Sequence, residues 1–173
     1  MGEQNTEIRI YVACLAAYNN GRLHGRWIDA NQEADAIRAE IMDMLKASPI
    51  PQAEEWAIHD YEGFEGAPIS EYEGVDSVAE KAAFIARHGL LAGKLLEHWS
   101  GDLQDARRSI EDHYIGAFPS LEDFARDMTE QSEDISDTIA PYIDYARMGR
   151  DMALGDVFTI DLGFEETHIF WAH

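Results

Sequence analysis

The alternation of apolar and polar residues predicts that the chain begins with a small antiparallel sheet. β-forming residues fill positions 8–15 and 23–28, and the turn signal Asn19-Asn20-Gly21 lies between them. A third stretch, residues 55–61, alternates so that Trp56 and Ile58 share one predicted face. We therefore expect three strands in the first sixty residues.

One helix is predicted between the second and third of these strands. Apolar residues recur at helical spacing from Ala34 to Leu45, which indicates an amphipathic helix. Asp29, with Gln32 three residues later, has the pattern of a helix cap, and the prolines at 49 and 51 end the helix. This helix is expected to cover the sheet.

Helical spacing continues through the middle of the chain. Glycines and a proline within residues 63–68 indicate a linker, and Ser77 with Glu80 has the pattern of a capping box for the helix that follows. Gly89 is expected to end that helix, and residues 90–99 predict a second one. A third helix is predicted from Asp102 to Gly116.

The last third of the chain predicts two further helices and a hairpin. Ser120 with Asp123 is expected to cap one helix, and Pro141 suits the first position of the next. Residues 157–162 and 167–171 read as paired strands. The apolar residues 169–171 are a candidate for pairing with a second subunit, although pairing within their own hairpin explains them equally well.

The order of elements predicts an α+β fold, because sheet, helices and sheet follow one another without a βαβ alternation. We expect an elongated chain of three small domains: an antiparallel sheet with one helix at 1–62, a helical middle at 63–101, and helices with a sheet at 102–173. No internal repeat of fixed period is present.

Composition favours a folded cytoplasmic protein. Aromatic residues make up 10% of the chain, which distinguishes it from an acidic disordered sequence. The single cysteine, Cys14, excludes an internal disulfide and lies in a predicted strand, where we expect it to be an inert core residue. The first seven residues lack a signal-peptide core, and no run is long enough for a membrane span.

The charge is strongly negative and unevenly distributed. The chain carries 34 acidic residues against 13 Lys and Arg, a formal net charge of −21. Residues 47–80 contain nine acids and no base, and residues 109–146 contain ten acids and one base, Arg126. Such a field destabilises the compact state by self-repulsion. Metal cations, basic proteins, or a protein site built to hold nucleic acid are its natural targets.

Known catalytic and cofactor patterns are absent from the sequence. The seven histidines form no HExxH pattern, and phosphate-loop, dinucleotide-loop, nucleophile-elbow and EF-hand spacings are missing. Glu111, Asp112 and His113 are adjacent, but neighbours on a helix diverge by about 100°. We expect no catalytic residue, no cofactor and no metal site.

The amount of charge is comparable to a short DNA duplex. Duplex DNA carries two negative charges per base pair, so −21 corresponds to about 10 base pairs and a dimer to about 20. Carboxylates along a row of small domains would compete for a DNA-binding groove, with binding that weakens in salt.

Three blocks of the sequence resemble the ArdA family of antirestriction proteins. The central block, residues 95–125, reads LLEHWSGDLQDARRSIEDHYIGAFPSLEDFA, and RIYVACLAAYNNGRLHGRWIDA and YIDYARMGRDMALGDVFTI followed by HIFW resemble the family's beginning and end. The resemblance covers roughly residues 8–171. It implies a non-enzymatic, elongated, homodimeric DNA mimic that occupies the DNA-binding groove of the methyltransferase core of type I restriction–modification enzymes and protects incoming mobile DNA. It implies neither nucleic acid nor a membrane as a partner.

The resemblance and the charge density together predict the partner-binding residues. The motif region is associated in the family with antirestriction activity and the dimer contact, and it carries over Asp102, Asp105, Ala106, Glu111, Asp112, Tyr114 and Gly116. Charge density adds further acids to the predicted mimic surface: Glu54, Glu55, Glu62, Glu65, Glu71, Glu73, Asp76, Glu122, Asp123, Asp127, Glu130, Glu133, Asp134 and Asp137.

Two alternatives remain open from the residues alone. A metal-dependent hydrolase would bring Asp, Glu and His together in a pocket, with His59, His98 or His113 as the first ligands to test. A generic acidic protein, either a chaperone for basic proteins or one adapted to high salt, would need no site. Displacement of DNA from a type I enzyme separates the mimic from both.

Overall fold

The computed structural model describes residues 7–173, so the first six residues of the predicted N-terminal domain lie outside it. The chain divides into two compact units, residues 1–103 and 104–173. In order along the chain, the first unit contains β1 (Arg9–Cys14), α1 (Leu15–Asn19), β2 (Gly25–Asp29), α2 (Ala34–Lys46), β3 (Trp56–Glu62), α3 (Val75–His88) and α4 (Leu90–His98). Helix α5 (Leu103–Asp112) begins at the boundary, and the second unit continues with β4 (Tyr114–Phe118), α6 (Leu121–Ser132), a 3-10 helix (Ala140–Tyr142), α7 (Tyr145–Met152), β5 (Val157–Gly163) and β6 (Glu166–Trp171).

The first sheet has the strands that the sequence predicts. Its order is β2-β1-β3 with both pairings antiparallel, and α2 contacts β1 and β2. The central strand places Ile10 and Val12 in the core, and α2 contributes Ile37 and Ile41. Cys14 is fully buried, as predicted. The β1–β2 connection differs from a tight hairpin, because α1 precedes the turn at 20–21.

A register shift interrupts β3 after Ile58, whereas the pairs from Trp56–Cys14 to Ile58–Val12 keep the alternation that the sequence predicts. Tyr11 pairs with Asp60 whereas its neighbour Val12 pairs with Ile58, so β3 carries one extra residue at this point. A bulge of this kind interrupts the two-residue period of side chains. Ala57 and Ile58 lie before the shift on opposite faces of the strand, and both are buried, so the sheet is covered on both sides at this point.

Two predicted helix caps in the first unit are wrong. Helix α2 begins only at Ala34, and the Asp29 carboxylate instead accepts a hydrogen bond from the Asn31 amide at 2.8 Å, in a turn before the helix. Helix α3 begins at Val75, so Ser77 lies inside it. The earlier start buries Val75 together with Val78 against the unit's core.

The segment between β3 and α3 is irregular but well packed. Phe64, Ala67 and Ile69 are buried in it, and the Ile58 amide donates to the Glu71 carbonyl at 2.8 Å. The segment therefore adds to the core of the first unit instead of connecting two bodies loosely. A division of the first unit into separate domains at residue 62 stays a prediction.

The second unit is a three-stranded antiparallel sheet with two helices on one face. The strand order is β4-β6-β5, and Phe124 from α6 packs on Val157 and Ile169 in its core. Helices α6 and α7 contact each other closely at Gly149. A Cβ atom at that position would lie only 2.9 Å from the Leu121 carbonyl oxygen, so the close approach requires glycine. Fold class is thus confirmed as α+β.

Several details of the second unit differ from the sequence predictions. Helix α5 ends at Asp112, so the stretch predicted to continue it to Gly116 is strand β4. Strand β6 is the central strand, and its residues 169–171 pair with β4 on one side and with β5 on the other. Of the two interpretations of these residues, pairing with a second subunit is therefore wrong and pairing within their own hairpin is confirmed, since no backbone edge is left.

The helix starts in this unit show how side-chain chemistry sets boundaries. The Ser120 hydroxyl accepts from the Asp123 amide at 3.1 Å and donates to the Asp123 carboxylate at 2.7 Å, which confirms the predicted capping box. Pro141 belongs to the 3-10 helix instead of starting α7. Asp144 caps α7 by accepting from the Arg147 amide at 3.0 Å.

Candidate functional site

The carboxylates predicted for the mimic surface are distributed over both units. Residues 47–80 lie in the first unit and residues 109–146 in the second. Thirteen of the eighteen predicted acids are exposed, so their charges face solvent: Glu54, Glu55, Glu62, Glu71, Asp76, Asp102, Glu111, Asp112, Glu122, Glu130, Glu133, Asp134 and Asp137. The other five predicted acids are only partly exposed: Glu65, Glu73, Asp105, Asp123 and Asp127.

Basic residues from elsewhere in the first unit reach some of its acids. Arg9 on β1 contacts Glu62 at the end of β3, and Arg38 on α2 contacts Asp76 in the first turn of α3. The hydrogen bonds to Asp76 and then to Asp35 raise the pKa of the Arg38 guanidinium. These pairs are solvent-exposed and contribute little to stability. They reduce the local negative field without removing the carboxylates from the surface.

Glu73 differs from every other predicted acid in the first unit. Its side chain is only 13% exposed, and the Lys81 ammonium lies 2.9 Å from its Oε1 atom. Its second oxygen, Oε2, is buried without a hydrogen-bond partner among the described residues. Lys81 itself is 6% exposed. The Glu73 charge is thus neutralised inside the protein, and we remove it from the candidate surface.

Helix α6 carries acids on the side opposite its core face. Phe124 and Ala125 are buried, whereas Glu122 and Glu130 are exposed. Arg126 lies between the first-turn acids, 3.5 Å from Glu122 and within 3.6 Å of Asp123. Acids in the first turn also complement the positive end of the helix dipole.

The loop after α6 carries carboxylates that form no ion pair with any residue the structure describes. Glu133, Asp134 and Asp137 are all exposed, and none makes an ion pair with any residue in the described range 7–173. The same holds for Glu54 and Glu55 ahead of β3. Exposed carboxylates without such a pair remain available to an approaching basic surface.

The three non-acidic motif positions have different surroundings. Ala106 is fully buried, so it packs within the unit. Gly116 adopts φ 154° at a register shift between β4 and β6, a backbone conformation that favours glycine. Tyr114 is 41% exposed and lies on an edge strand.

Tyr114 belongs to a short polar chain across the sheet. Its hydroxyl lies 2.8 Å from His168 Nδ1, and His168 Nε2 lies 3.1 Å from a Glu166 oxygen. Burial, followed by the nearby Glu166 charge, raises the pKa of the Tyr114 phenol above its ordinary value near 10. Its ring also packs 5.1 Å from that of Phe170. The phenol is therefore protonated at neutral pH.

The histidines proposed as metal ligands make other contacts. The ring of His59 packs edge-on against Tyr18 at 4.9 Å, and His113 Nδ1 lies 3.1 Å from the Trp171 carbonyl. His98 packs against the ring of Trp99 at 5.0 Å. In residues 7–173 no group of three or more His, Cys, Asp or Glu side chains has the arrangement of a metal site.

A cleft in the first unit is lined partly by charged residues. Its volume is about 560 Å³, and its lining includes Arg9, Trp27, Asp29 and Glu65. The Arg9 guanidinium lies 4.8 Å from the centre of the Trp27 ring and also contacts Glu62. The basic group of the cleft is thus occupied by partners within the chain.

Sequence reasoning missed a set of exposed apolar side chains inside the acidic segments. Tyr72 is 69% exposed, Tyr142 is 85% exposed and Ile139 is 58% exposed. The sequence could have indicated their exposure through their polar neighbours. Tyr72 stands between Glu71 and Glu73, and residues 133–144 around Tyr142 contain acids and no base.

Comparison with known proteins identifies one family. A family model described as the antirestriction protein ArdA matches residues 10–166. No curated protein matches the chain in sequence. Within residues 7–173, no helix has the combination of length and apolarity that a membrane crossing requires.

Proposed function

Because the chain belongs to the ArdA family of antirestriction proteins, we propose that its exposed carboxylates bind in the DNA-binding groove of the methyltransferase core of a type I enzyme. Proteins of this family are non-enzymatic DNA mimics that inhibit type I restriction–modification enzymes, so the chain is an inhibitor and its target is such an enzyme. In this proposal the carboxylates take the positions of DNA phosphates, and inhibition protects incoming mobile DNA.

One observation carries the proposal: most acids of the two acidic segments remain exposed after folding. Glu54, Glu55 and the loop acids Glu133, Asp134 and Asp137 have no ion pair within the described chain. A groove that binds DNA is lined with Lys and Arg, which contact phosphate oxygens. Carboxylates supply the same charge and the same hydrogen-bond acceptors.

A homodimer belongs to the same proposal. A dimer doubles the charge to that of about 20 base pairs. The motif region contains β4, which among the described strands pairs only with β6 and so has one open edge. An open edge is a site at which a second chain can add a strand. Sedimentation equilibrium that shows only monomer at the concentrations of inhibition would reject this part.

The decisive experiment is competition between the protein and labelled DNA for a purified type I methyltransferase core. We expect the protein to displace the duplex at low salt, and displacement to weaken as salt rises. A single Asp→Asn or Glu→Gln change should have little effect, because each removes one of many solvent-screened contacts. Unchanged DNA binding with the protein in excess would contradict the proposal.

A charge-matched pair of variants tests whether location matters. The triple variant Glu133→Gln/Asp134→Asn/Asp137→Asn removes three exposed charges from the candidate surface. The control Glu33→Gln/Asp35→Asn/Asp43→Asn removes three exposed charges from around α2. We expect the first to weaken competition clearly more than the second. Equal effects would mean that only net charge matters, and that this loop is not part of the contact.

A further inference from the structure

The two most exposed tyrosines inside the acidic segments lie one in each unit. Tyr72 is 69% exposed in the first unit, and Tyr142 is 85% exposed in the second. Residues 62–76 contain five acids and no base, and residues 133–144 contain four acids and no base. Each aromatic ring is therefore surrounded in sequence by negative charge and is open to solvent.

The backbone holds Tyr72 in an outward position. On one side the Glu71 carbonyl accepts a hydrogen bond from the Ile58 amide at 2.8 Å. On the other side Glu73 is tied to the buried Lys81 ammonium at 2.9 Å. Since both neighbours of Tyr72 are fixed to the core, its ring is presented at small additional entropy cost when a partner binds.

Tyr142 is held in a comparable way by short-range structure. It ends the 3-10 helix that contains Pro141, and its amide donates to the Ile139 carbonyl at 2.9 Å. Two residues later Asp144 caps α7. Ile139, 58% exposed, adds a second apolar group to the same turn.

The chemistry of these positions indicates what covers them. A second copy of the chain placed over Tyr72 or Tyr142 would bring like charge against the acids around them, which costs energy, whereas the homodimer proposed above uses the open edge of β4. A DNA-binding site offers the opposite charge for the surrounding acids. It also contacts sugars and bases, which are less polar than phosphates, and a surface made only of carboxylates cannot replace those contacts. Tyrosine is enriched among the residues that dominate binding energy in interfaces.

We propose that Tyr72 and Tyr142 are apolar anchors that contact the DNA-binding site of the type I enzyme, where their rings take the place of the sugar and base surface of DNA. This inference rests on the proposed function, and it divides the contact into two parts. The carboxylates supply attraction that salt screens, and the tyrosines supply a component that salt does not weaken.

The test measures displacement of a labelled duplex from the methyltransferase core at several salt concentrations, from about 50 mM to about 500 mM. We expect Tyr72→Ala and Tyr142→Ala each to weaken binding about tenfold at both ends of the range, with the slope against salt unchanged. The phenylalanine variants should bind like the wild type, because they keep the ring. The triple acid variant of the loop should instead reduce the slope.

Leu23→Ala is the matched control. Leu23 is 90% exposed, but it stands between Arg22 and Arg26 and not among acids. We expect this variant to bind like the wild type. A urea unfolding curve for each variant separates a lost contact from a lost fold, and exposed side chains should leave that curve unchanged.

The outcomes distinguish failure of the tyrosine anchors from failure of the proposed function. Tyrosine-to-alanine variants that bind like the wild type, while the acid variant binds more weakly, would overturn the anchors and leave the mimic intact. Phenylalanine variants as weak as the alanine variants would also overturn them, because the hydroxyl group and not the ring would then matter. Failure of the wild-type protein to displace DNA would reject the proposed function and this inference together.

Discussion

Replacing Lys81 by methionine should destabilise the first unit much more than its single lost ion pair suggests. The Lys81 and Glu73 side chains are 6% and 13% exposed, so water cannot solvate the carboxylate once the ammonium is gone. One carboxylate oxygen already lacks a partner among the described residues. Removing one member of a buried pair costs about 3–5 kcal/mol, chiefly because the remaining charge stays buried.

A matched surface pair provides the control for this prediction. Lys94 lies 3.0 Å from Glu97, a distance close to that of the buried pair, but these side chains are 39% and 55% exposed. Exposed pairs contribute about 0–1 kcal/mol. Lys94→Met should therefore leave stability almost unchanged. The double variant Lys81→Met/Glu73→Met should recover most of the loss, because it leaves no unpaired charge inside.

Urea unfolding monitored by tryptophan fluorescence measures the loss of stability in the first unit, which contains Lys81. Trp27, Trp56 and Trp99 report on the first unit, while Trp171 lies in the second. With an m value of about 2 kcal/mol/M, a loss of about 4 kcal/mol lowers the midpoint by about 2 M. A midpoint for Lys81→Met no lower than that of Lys94→Met would refute the reasoning from burial.

Three further predictions concern the second unit. Gly116→Ala should cost about 1–3 kcal/mol, measured by the thermal midpoint, because a side chain is strained at φ 154°; an unchanged midpoint would contradict this. Ser120→Ala should cost about 1 kcal/mol in urea unfolding, since the Asp123 amide loses its acceptor, and Ser120→Thr should retain stability, since its hydroxyl can still accept from the amide and donate to the Asp123 carboxylate. The raised pKa of Tyr114 means that its contribution is fully present below about pH 10, the ordinary phenol value, and is lost as pH rises through the folded pKa. Tyr114→Phe should therefore lose less stability than the wild type between about pH 9 and pH 11, and identical pH profiles would count against it.

Local patterns predicted most elements, and the failures have local causes. Ser120 caps α6 as predicted, because its hydroxyl and Asp123 are three residues apart and need no distant partner. Ser77 has the same spacing to an acid but lies inside α3, since burial of Val75 starts the helix earlier. Strand β4 was missed because its pairing with β6 joins residues that are 49 to 56 positions apart.

The candidate surface likewise has features that follow from the sequence and features that depend on the fold. Net charge, the two acid-rich segments and the family resemblance follow from the sequence, because they depend on residue types and their order alone. Glu71 and Glu73 illustrate what does not follow. They are the same residue type two positions apart, yet one faces solvent and the other contacts Lys81 inside the unit.

Residue types and their order are therefore sufficient to identify an acidic α+β chain of the ArdA type, with carboxylates concentrated in residues 47–80 and 109–146. Which carboxylates stay in solvent, and which tyrosines among them remain uncovered, depends on the three-dimensional packing of the chain. That packing also makes β6 the central strand of its sheet. The physical reason is that burial and strand order depend on contacts between distant parts of the chain, which local periodicity does not contain.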